Sequence, residues 1–267
     1  DDGLALECDC GVIGSDANDI LKPYNRKIGP DPATITTALV GGIVNNNSSG
    51  MCCGTAENSY QTIRSIRVVL LDGTILDTSD PKSVTQFLKE KPNMVEDILQ
   101  IRADILADEE LTHLIHHKYK IKNTTGYGLN SLVDFEDIVD ILNHLFIGSE
   151  GTLGFVSKVV YNTVEDVPYK GCGLLFFTNL NDASEAVVKL AGMGRDTVIA
   201  AEMMDYQSLR AVQRLDTVPD FVHNVPEGTS CILFQTESYT KETVDKNLAF
   251  IQDALKDIPT AIPSLYS

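Results

Sequence analysis

The feature that most limits this chain is a long tract poor in large side chains, Gly29-Pro30-Asp31-Pro32-Ala33-Thr34-Ile35-Thr36-Thr37-Ala38-Leu39-Val40-Gly41-Gly42-Ile43-Val44-Asn45-Asn46-Asn47-Ser48-Ser49-Gly50. Small residues let a backbone approach a ligand closely. Exposed main-chain N–H groups, with Ser and Thr hydroxyls, can bind a pyrophosphate without a lysine. The consecutive amides Asn45, Asn46 and Asn47 offer donors and acceptors for ring or ribose edges. A tight Gly/Asn turn between two elements is the alternative that these residues leave open. A second cluster, Gly148-Ser149-Glu150-Gly151-Thr152-Leu153-Gly154, runs into the strand-like Phe155-Val156-Ser157. It reads either as a second ligand-facing backbone or as a plain loop-to-strand transition. If both stretches form one wall, Gly41 and Gly154 must border a common groove.

The rest of the sequence narrows the function classes. Its 267 residues suffice for two modest domains or one large one. No apolar run reaches bilayer-spanning length, which leaves peripheral membrane association open. The net charge of −17 argues against a nucleic-acid partner. The same sign would repel a free anionic substrate, which must therefore meet a local cationic pocket. The six cysteines are spaced CxC and CC and fit no zinc template. Reduced thiols in a cytoplasmic protein are the simple reading, with a strained Cys52–Cys53 disulfide as the alternative. Neither GxGxxG after a strand, GxxxxGK[ST] nor GxSxG occurs, which argues against a Rossmann nicotinamide site, a P-loop and a hydrolase elbow. His113, His116 and His117 share a helical face, but no HExxH accompanies them and no metal site is assigned.

Periodicity gives the element order. Asp2-Gly3 reads as a turn into a strand through Leu4–Cys8. A short helix is expected over 15–21 with Ser15 as its N-cap. Strands at 63–71 and 74–78 flank Asp72-Gly73, a two-residue hairpin signal. Helices follow at 84–89, 95–107 and 109–118, with Ile98, Ile101 and Ile105 on one face. Residues 123–128 are a loop, 137–144 a helix, and 151–160 contain a strand. From Asp166-Val167-Pro168 strands and helices alternate at 172–178, 182–193, 197–203, 206–215, 229–237 and 242–256, which suggests βαβ units over one sheet. The expected domains are therefore 1–165 and 166–267. The opening inside a strand, and a second unit ending without the last strand an α/β sandwich wants, suggest a piece of a larger protein.

The run KIGPDPATITTALVGGIVNNNSSGMCCGT, followed in order by VVLLDGTILDT, KNTTGYGLNSL and HLFIGSEGTLGFVSKVVY, resembles the FAD-linked oxidases of the vanillyl-alcohol-oxidase superfamily, in their D-lactate dehydrogenase and glycolate oxidase group. The resemblance implies an α+β chain: the second subdomain of a PCMH-type FAD-binding domain, then a partial ferredoxin-like cap. It implies FAD as cofactor, held by the stretches containing Pro30, Asp31, Pro32, Thr37, Gly41, Gly42, Asn46, Ser48, Gly50 and Gly54, and by Gly151, Thr152, Gly154 and Val156. Lys122, Asn123 and Tyr127 in the KNTTGYGLN loop are the substrate-side candidates, and no catalytic base is assigned. The implied reaction is oxidation of a D-2-hydroxy acid, D-lactate first, with glycolate, D-2-hydroxyglutarate or a non-catalytic assembly role as alternatives. The implied electron acceptor is a quinone, a cytochrome or an electron-transfer protein. A cytoplasmic setting is expected, with the inner face of the membrane as the alternative, as is inactivity of this stretch alone, because flavin contacts are shared with residues upstream.

Overall fold

The structure is a computed structural model that describes residues 2–267. The chain divides into two compact units, the first running to Asp166 and the second from Val167 to Ser267.

In the first unit β1 (Ala5–Asp9) leads to α1 (Gly14–Leu21), β2 (Arg26–Lys27), α2 (Val40–Asn46) and α3 (Ser59–Thr62). Then come β3 (Ile63–Val69), β4 (Ile75–Asp77) and the helices α4 (Pro81–Glu90), α5 (Pro92–Ala107) and α6 (Glu109–Lys118). The short α7 (Ser131–Asp134), α8 (Ile138–Leu145), β5 (Phe155–Asn162) and β6 (Val164–Glu165) complete it. The main sheet has the order β1-β5-β3-β4 and is antiparallel throughout. Val159 and Tyr161 of β5 and Ile66 and Val68 of β3 are buried with Val40 and Val44 of α2 and Ile141 and Leu142 of α8. Side-chain caps start the helices: Asp80 on Lys82 N, Asp108 on Leu111 N, and Asp137 on Val139 N and Asp140 N. Each such cap is worth about 1 kcal/mol.

The second unit consists of β7 (Tyr169–Phe177), α9 (Leu180–Ala191), β8 (Ala200–Met204), α10 (Tyr206–Val212), α11 (Asp220–His223), β9 (Ser230–Ser238), α12 (Lys241–Leu255) and β10 (Leu265–Tyr266). Its sheet order, β10-β7-β9-β8, with antiparallel neighbours throughout, is the ferredoxin-like arrangement. β7 and β9 pair in unbroken register from Tyr169↔Ser238 to Phe177↔Ser230. Alternation then sends Leu175, Phe177, Ile232 and Phe234 into one core with Ala183, Leu190, Ile251 and Leu255 of α9 and α12. Phe176 and Cys231 point the other way, onto Leu209 and Val225. Gly173 is a glycine because a Cβ there would sit 2.2 Å from the Phe234 ring.

Several sequence expectations change. The last strand of the second unit is present: β10 pairs with β7 through Leu265↔Leu174 and Tyr266↔Gly173. Its two residues are too few for a periodicity signal. Ser15 is not the cap of α1, which starts at Gly14 after an extended Ile13 with no side-chain cap; instead Gly14 N and Ser15 N donate to Ala38 O and Ile35 O. The β3–β4 connection is a three-residue loop, Leu71-Asp72-Gly73, closed by Leu70 N to Thr74 O, with Gly73 at φ +85°. Ile101 is half exposed while Ile98 and Ile105 are buried. Finally, residues 40–46 are helical rather than a turn.

Candidate functional site

The small-residue tract is stitched to the residues after β1. Val40 N donates to Val12 O and Gly41 N to Cys10 O. Gly41 permits this approach, since a Cβ there would sit 2.8 Å from Cys10 Cβ. The helix α2 that follows ends at Asn47 in the left-handed conformation.

At that end the two glycine-containing stretches meet. Gly148 N donates to Val44 O at 3.0 Å and Glu150 N to Asn45 O at 2.8 Å, so the second stretch satisfies carbonyls at the end of α2. Asn46 Nδ2 adds a 2.6 Å bond to Glu150 Oε1. Glu150 itself is left-handed (φ +53°), a conformation that a non-glycine residue keeps only where its surroundings hold it.

The KNTTGYGLN loop joins both stretches. Lys122 Nζ donates to Ser49 O at 2.8 Å. Tyr127 OH lies 2.9 Å from Thr152 Oγ1. Asn123 lines a polar cavity of about 40 Å³, together with Asn47, Asn58, Tyr60, Tyr119, Asn130 and Gly148. The three sequence-derived clusters are thus one structural neighbourhood.

Within it the expected residues play unequal parts. The Asp31 carboxylate accepts from Gly50 N (2.8 Å), Cys52 N and Cys53 N (both 3.2 Å), filling a nest of main-chain donors with the chain's own anion. A Cβ on Gly50 would lie 1.9 Å from Asp31 O. Pro30 and Pro32 are buried on either side. Thr37 is exposed and bonds back to Thr34 O. Ser48 Oγ donates to Asn46 Oδ1. Gly151 and Gly54 take positive φ in open space. Gly154 packs on Val68 and Phe146, and Val156 is a core residue of β5, so its side chain faces the sheet interior. Gly42 is exposed, has ordinary φ, and nothing lies near its missing Cβ: neither packing nor conformation calls for glycine there.

Sequence reasoning placed Ser149, Asn45 and Ser49 inside the two stretches but left them out of the residues assigned to the cofactor. Ser149 is 1% and Ser49 7% exposed, and Ser149 Oγ, Ser49 Oγ and Asn45 Oδ1 are buried without a hydrogen-bond partner. A buried polar atom left unpaired costs about 1–3 kcal/mol, so three of them at one junction point to a polar ligand that completes them. Cys53 carries no such role: it is a free thiol that burial pushes up to about 12, beside the Asp31 carboxylate. Tyr60 donates to Asp134 Oδ2, and burial followed by that carboxylate raises its phenol well above the usual range. His116 lies 3.9 Å from Asp134.

Two family models match this chain. Residues 1–79 match the FAD binding domain, and residues 168–262 match the C-terminal domain of FAD linked oxidases. The chain is an FAD-linked oxidase family member.

Among the chain's curated relatives is the D-2-hydroxyglutarate dehydrogenase of Pantoea ananatis, 30% identical over 57% of this chain and 15% of the relative. The D-2-hydroxyglutarate–pyruvate transhydrogenase of Saccharomyces cerevisiae is 23% identical over 93% of the chain and 40% of the relative. The same yeast's mitochondrial D-lactate dehydrogenase [cytochrome] 1 is 23% identical over 78% of the chain and 26% of the relative. The chain therefore spans well under half of each. The solved structure of alkyldihydroxyacetonephosphate synthase superposes with a TM-score of 0.61 at 15% identity, over 98% of this chain and 40% of that one, a likeness of fold. FAD is the cofactor of the family, and the junction fits it: buried oxygens at Asn45, Ser49 and Ser149 stand without a partner, and Gly42, on the same helix as Asn45, exposes bare backbone. The small cavity next door does not, since sites for ligands of that size enclose about 300–1,000 Å³. No helix among the described residues is long and apolar enough to cross a membrane.

Proposed function

We propose that the protein to which this chain belongs oxidises a D-2-hydroxy acid to the 2-oxo acid, with residues 1–165 forming part of its flavin domain and residues 166–267 part of its substrate domain. The observation that carries this reading is the joining of residues 44–50 to residues 148–152 around buried oxygens that lack a partner. FAD, when bound, supplies the acceptor for the hydride leaving the substrate Cα. This chain's residues bind and orient. Asn45, Ser49 and Ser149 offer hydrogen bonds to polar edges of the cofactor, and Gly42 and Gly151 let it approach main-chain N–H groups. Lys122 adds a fixed cation to a strongly acidic chain, beside Ser49, and its loop partners Asn123 and Tyr127 are the substrate-side candidates. The names of several relatives support D-2-hydroxyglutarate as substrate, ahead of D-lactate. The electron acceptor in this reading is a quinone, a cytochrome, an electron-transfer protein or a second oxo acid.

The full-length protein should purify with visible flavin absorbance, and D-2-hydroxyglutarate should bleach it without oxygen while the L-enantiomer does not. Ser149→Ala separates ligand binding from folding. Removing an unpaired hydroxyl should leave the flavin-free protein as stable or more so, yet weaken flavin binding by about tenfold. A colourless full-length protein, or unchanged flavin affinity in Ser149→Ala, would overturn the reading.

A further inference from the structure

The chain carries 38 acidic residues against 21 lysines and arginines, so an anion that approaches it meets repulsion over most of its surface. The carboxylates are unevenly placed, however. None occurs from Leu111 to Val133, a segment that holds Lys118, Lys120 and Lys122. Several lysines elsewhere are matched to a nearby acid, as Lys91 is to Asp72, Lys158 to Glu7 and Lys189 to Glu185. Lys118 and Lys120 are exposed and, among the described residues, enter no ion pair.

This cationic segment is held at the junction. Tyr119 OH donates to Tyr127 O (2.7 Å) and accepts from Leu129 N (3.1 Å), which closes residues 119–129 into a loop. Lys122 Nζ is fixed on Ser49 O. Tyr119 and Ile121 line the polar cavity together with Asn47 and Gly148, one residue from each of the joined stretches. Lys118 and Lys120 are chain neighbours of those two lining residues, about 3.8 Å away from Cα to Cα. That separation is well inside the screening length of about 8 Å at physiological ionic strength, so their charge is felt at the junction. Carboxylates border the junction too, but they are tied down: Asp31 by Gly50 N, Asp134 by Tyr60 OH, and Glu150 by Asn46 Nδ2. Glu57 is half-buried.

We propose that Lys118 and Lys120 form an electrostatic guide, which draws the anionic substrate to the junction through the field of an acidic protein and favours a dianionic 2-hydroxy acid over a monoanionic one. The preference follows from Coulomb's law: attraction scales with the product of the charges, so a dianion gains twice the free energy from the same two lysines. The guide rests on the hydroxy-acid reading above, and it needs no contact between these lysines and the bound substrate.

The test is the second-order rate at which D-2-hydroxyglutarate reduces the flavin of the full-length protein, with no electron acceptor present. The unaltered protein is compared with the double variant Lys118→Glu, Lys120→Glu, whose two positions are exposed and should tolerate the change. At an ionic strength of about 10 mM the screening length is about 30 Å, and charge reversal should slow capture about tenfold while the limiting rate at saturating substrate stays the same. At about 1 M it is about 3 Å, and the two proteins should converge. Lys118→Gln with Lys120→Gln should lie between. With D-lactate the loss at low salt should be about threefold, the square root of the dianion's. Equal capture rates at low salt would overturn the guide. So would a loss that persists at 1 M, one as large for D-lactate, one in the limiting rate, or one confined to reoxidation by the acceptor, which would make the lysines a dock for a protein partner. A colourless protein, or one that no hydroxy acid bleaches, would overturn the flavin reading and the guide with it; a yellow, reducible protein with any of the former results overturns the guide alone.

Discussion

Both units carry a four-stranded antiparallel sheet, yet they are specified in different ways. The second unit is written in side chains: two nine-residue strands pair in one register, and alternate positions feed two opposed cores. The candidate site of the first unit is written in main chain. Its decisive contacts are backbone N–H groups meeting a carboxylate at Asp31, backbone carbonyls at Val44 and Asn45, and glycines where a Cβ would collide. Distributed apolar burial tolerates change in proportion to the volume removed. A main-chain junction has few substitutes for any of its bonds, so small changes there have concentrated effects.

Three experiments test this contrast. The largest effect should come from Phe234→Ala, which empties the second unit's core beside Gly173 and should cost about 3–5 kcal/mol in denaturant unfolding. Hydrogen exchange should accelerate in residues 169–266 and little in β1, β3 and β5; equal loss in both units would show that they share one cooperative core. Gly50→Ala should be next, at about 3 kcal/mol, since the added methyl must displace Asp31 and forfeit its amide bonds. Here exchange should rise locally at residues 50–53, and a variant as stable as the unaltered chain would remove the main-chain account. The smallest effect at neutral pH concerns buried thiols. Burial pushes Cys53 and Cys231 up from 9.0 to about 12, one in each unit. Because the folded values are raised, the stabilisation is complete below pH 9 and is lost as pH climbs towards 12, by at most about 1.4 kcal/mol per pH unit per thiol. Cys231→Ala should flatten that alkaline decline, as read from unfolding midpoints between pH 8 and 11.

The strands and long helices of both units were legible because their periods repeat over enough residues: β9, α9 and α12 lie within a few residues of where alternation and helical spacing put them. The order of strands in the second sheet was legible through the resemblance alone, because pairing partners leave no local mark. β10 was invisible because two residues carry no period. The helix α2 was hidden because a pair of glycines and a pair of asparagines lower helix propensity, and its stability comes from Val40, Ile43 and Val44 packing inward. Composition singled out the tract and the 148–154 cluster, and the resemblance implied that they meet. That Asp31 would occupy the amide nest, and that Ser149 would be left without a partner, depend on distances that no spacing rule encodes.

The bonds from Gly148 and Glu150 to the end of α2 act as a clasp closed over the hundred residues between, which hold α4, α5 and α6. The entropy of closing a loop grows with the logarithm of its length, so doubling the enclosed chain would cost only about 0.6 kcal/mol. The clasp itself is thus nearly indifferent to how much chain it encloses. Variation in the length of that helical excursion could therefore accumulate while the clasp keeps its form, and the region most free to lengthen is bounded on both sides by the region least free to change.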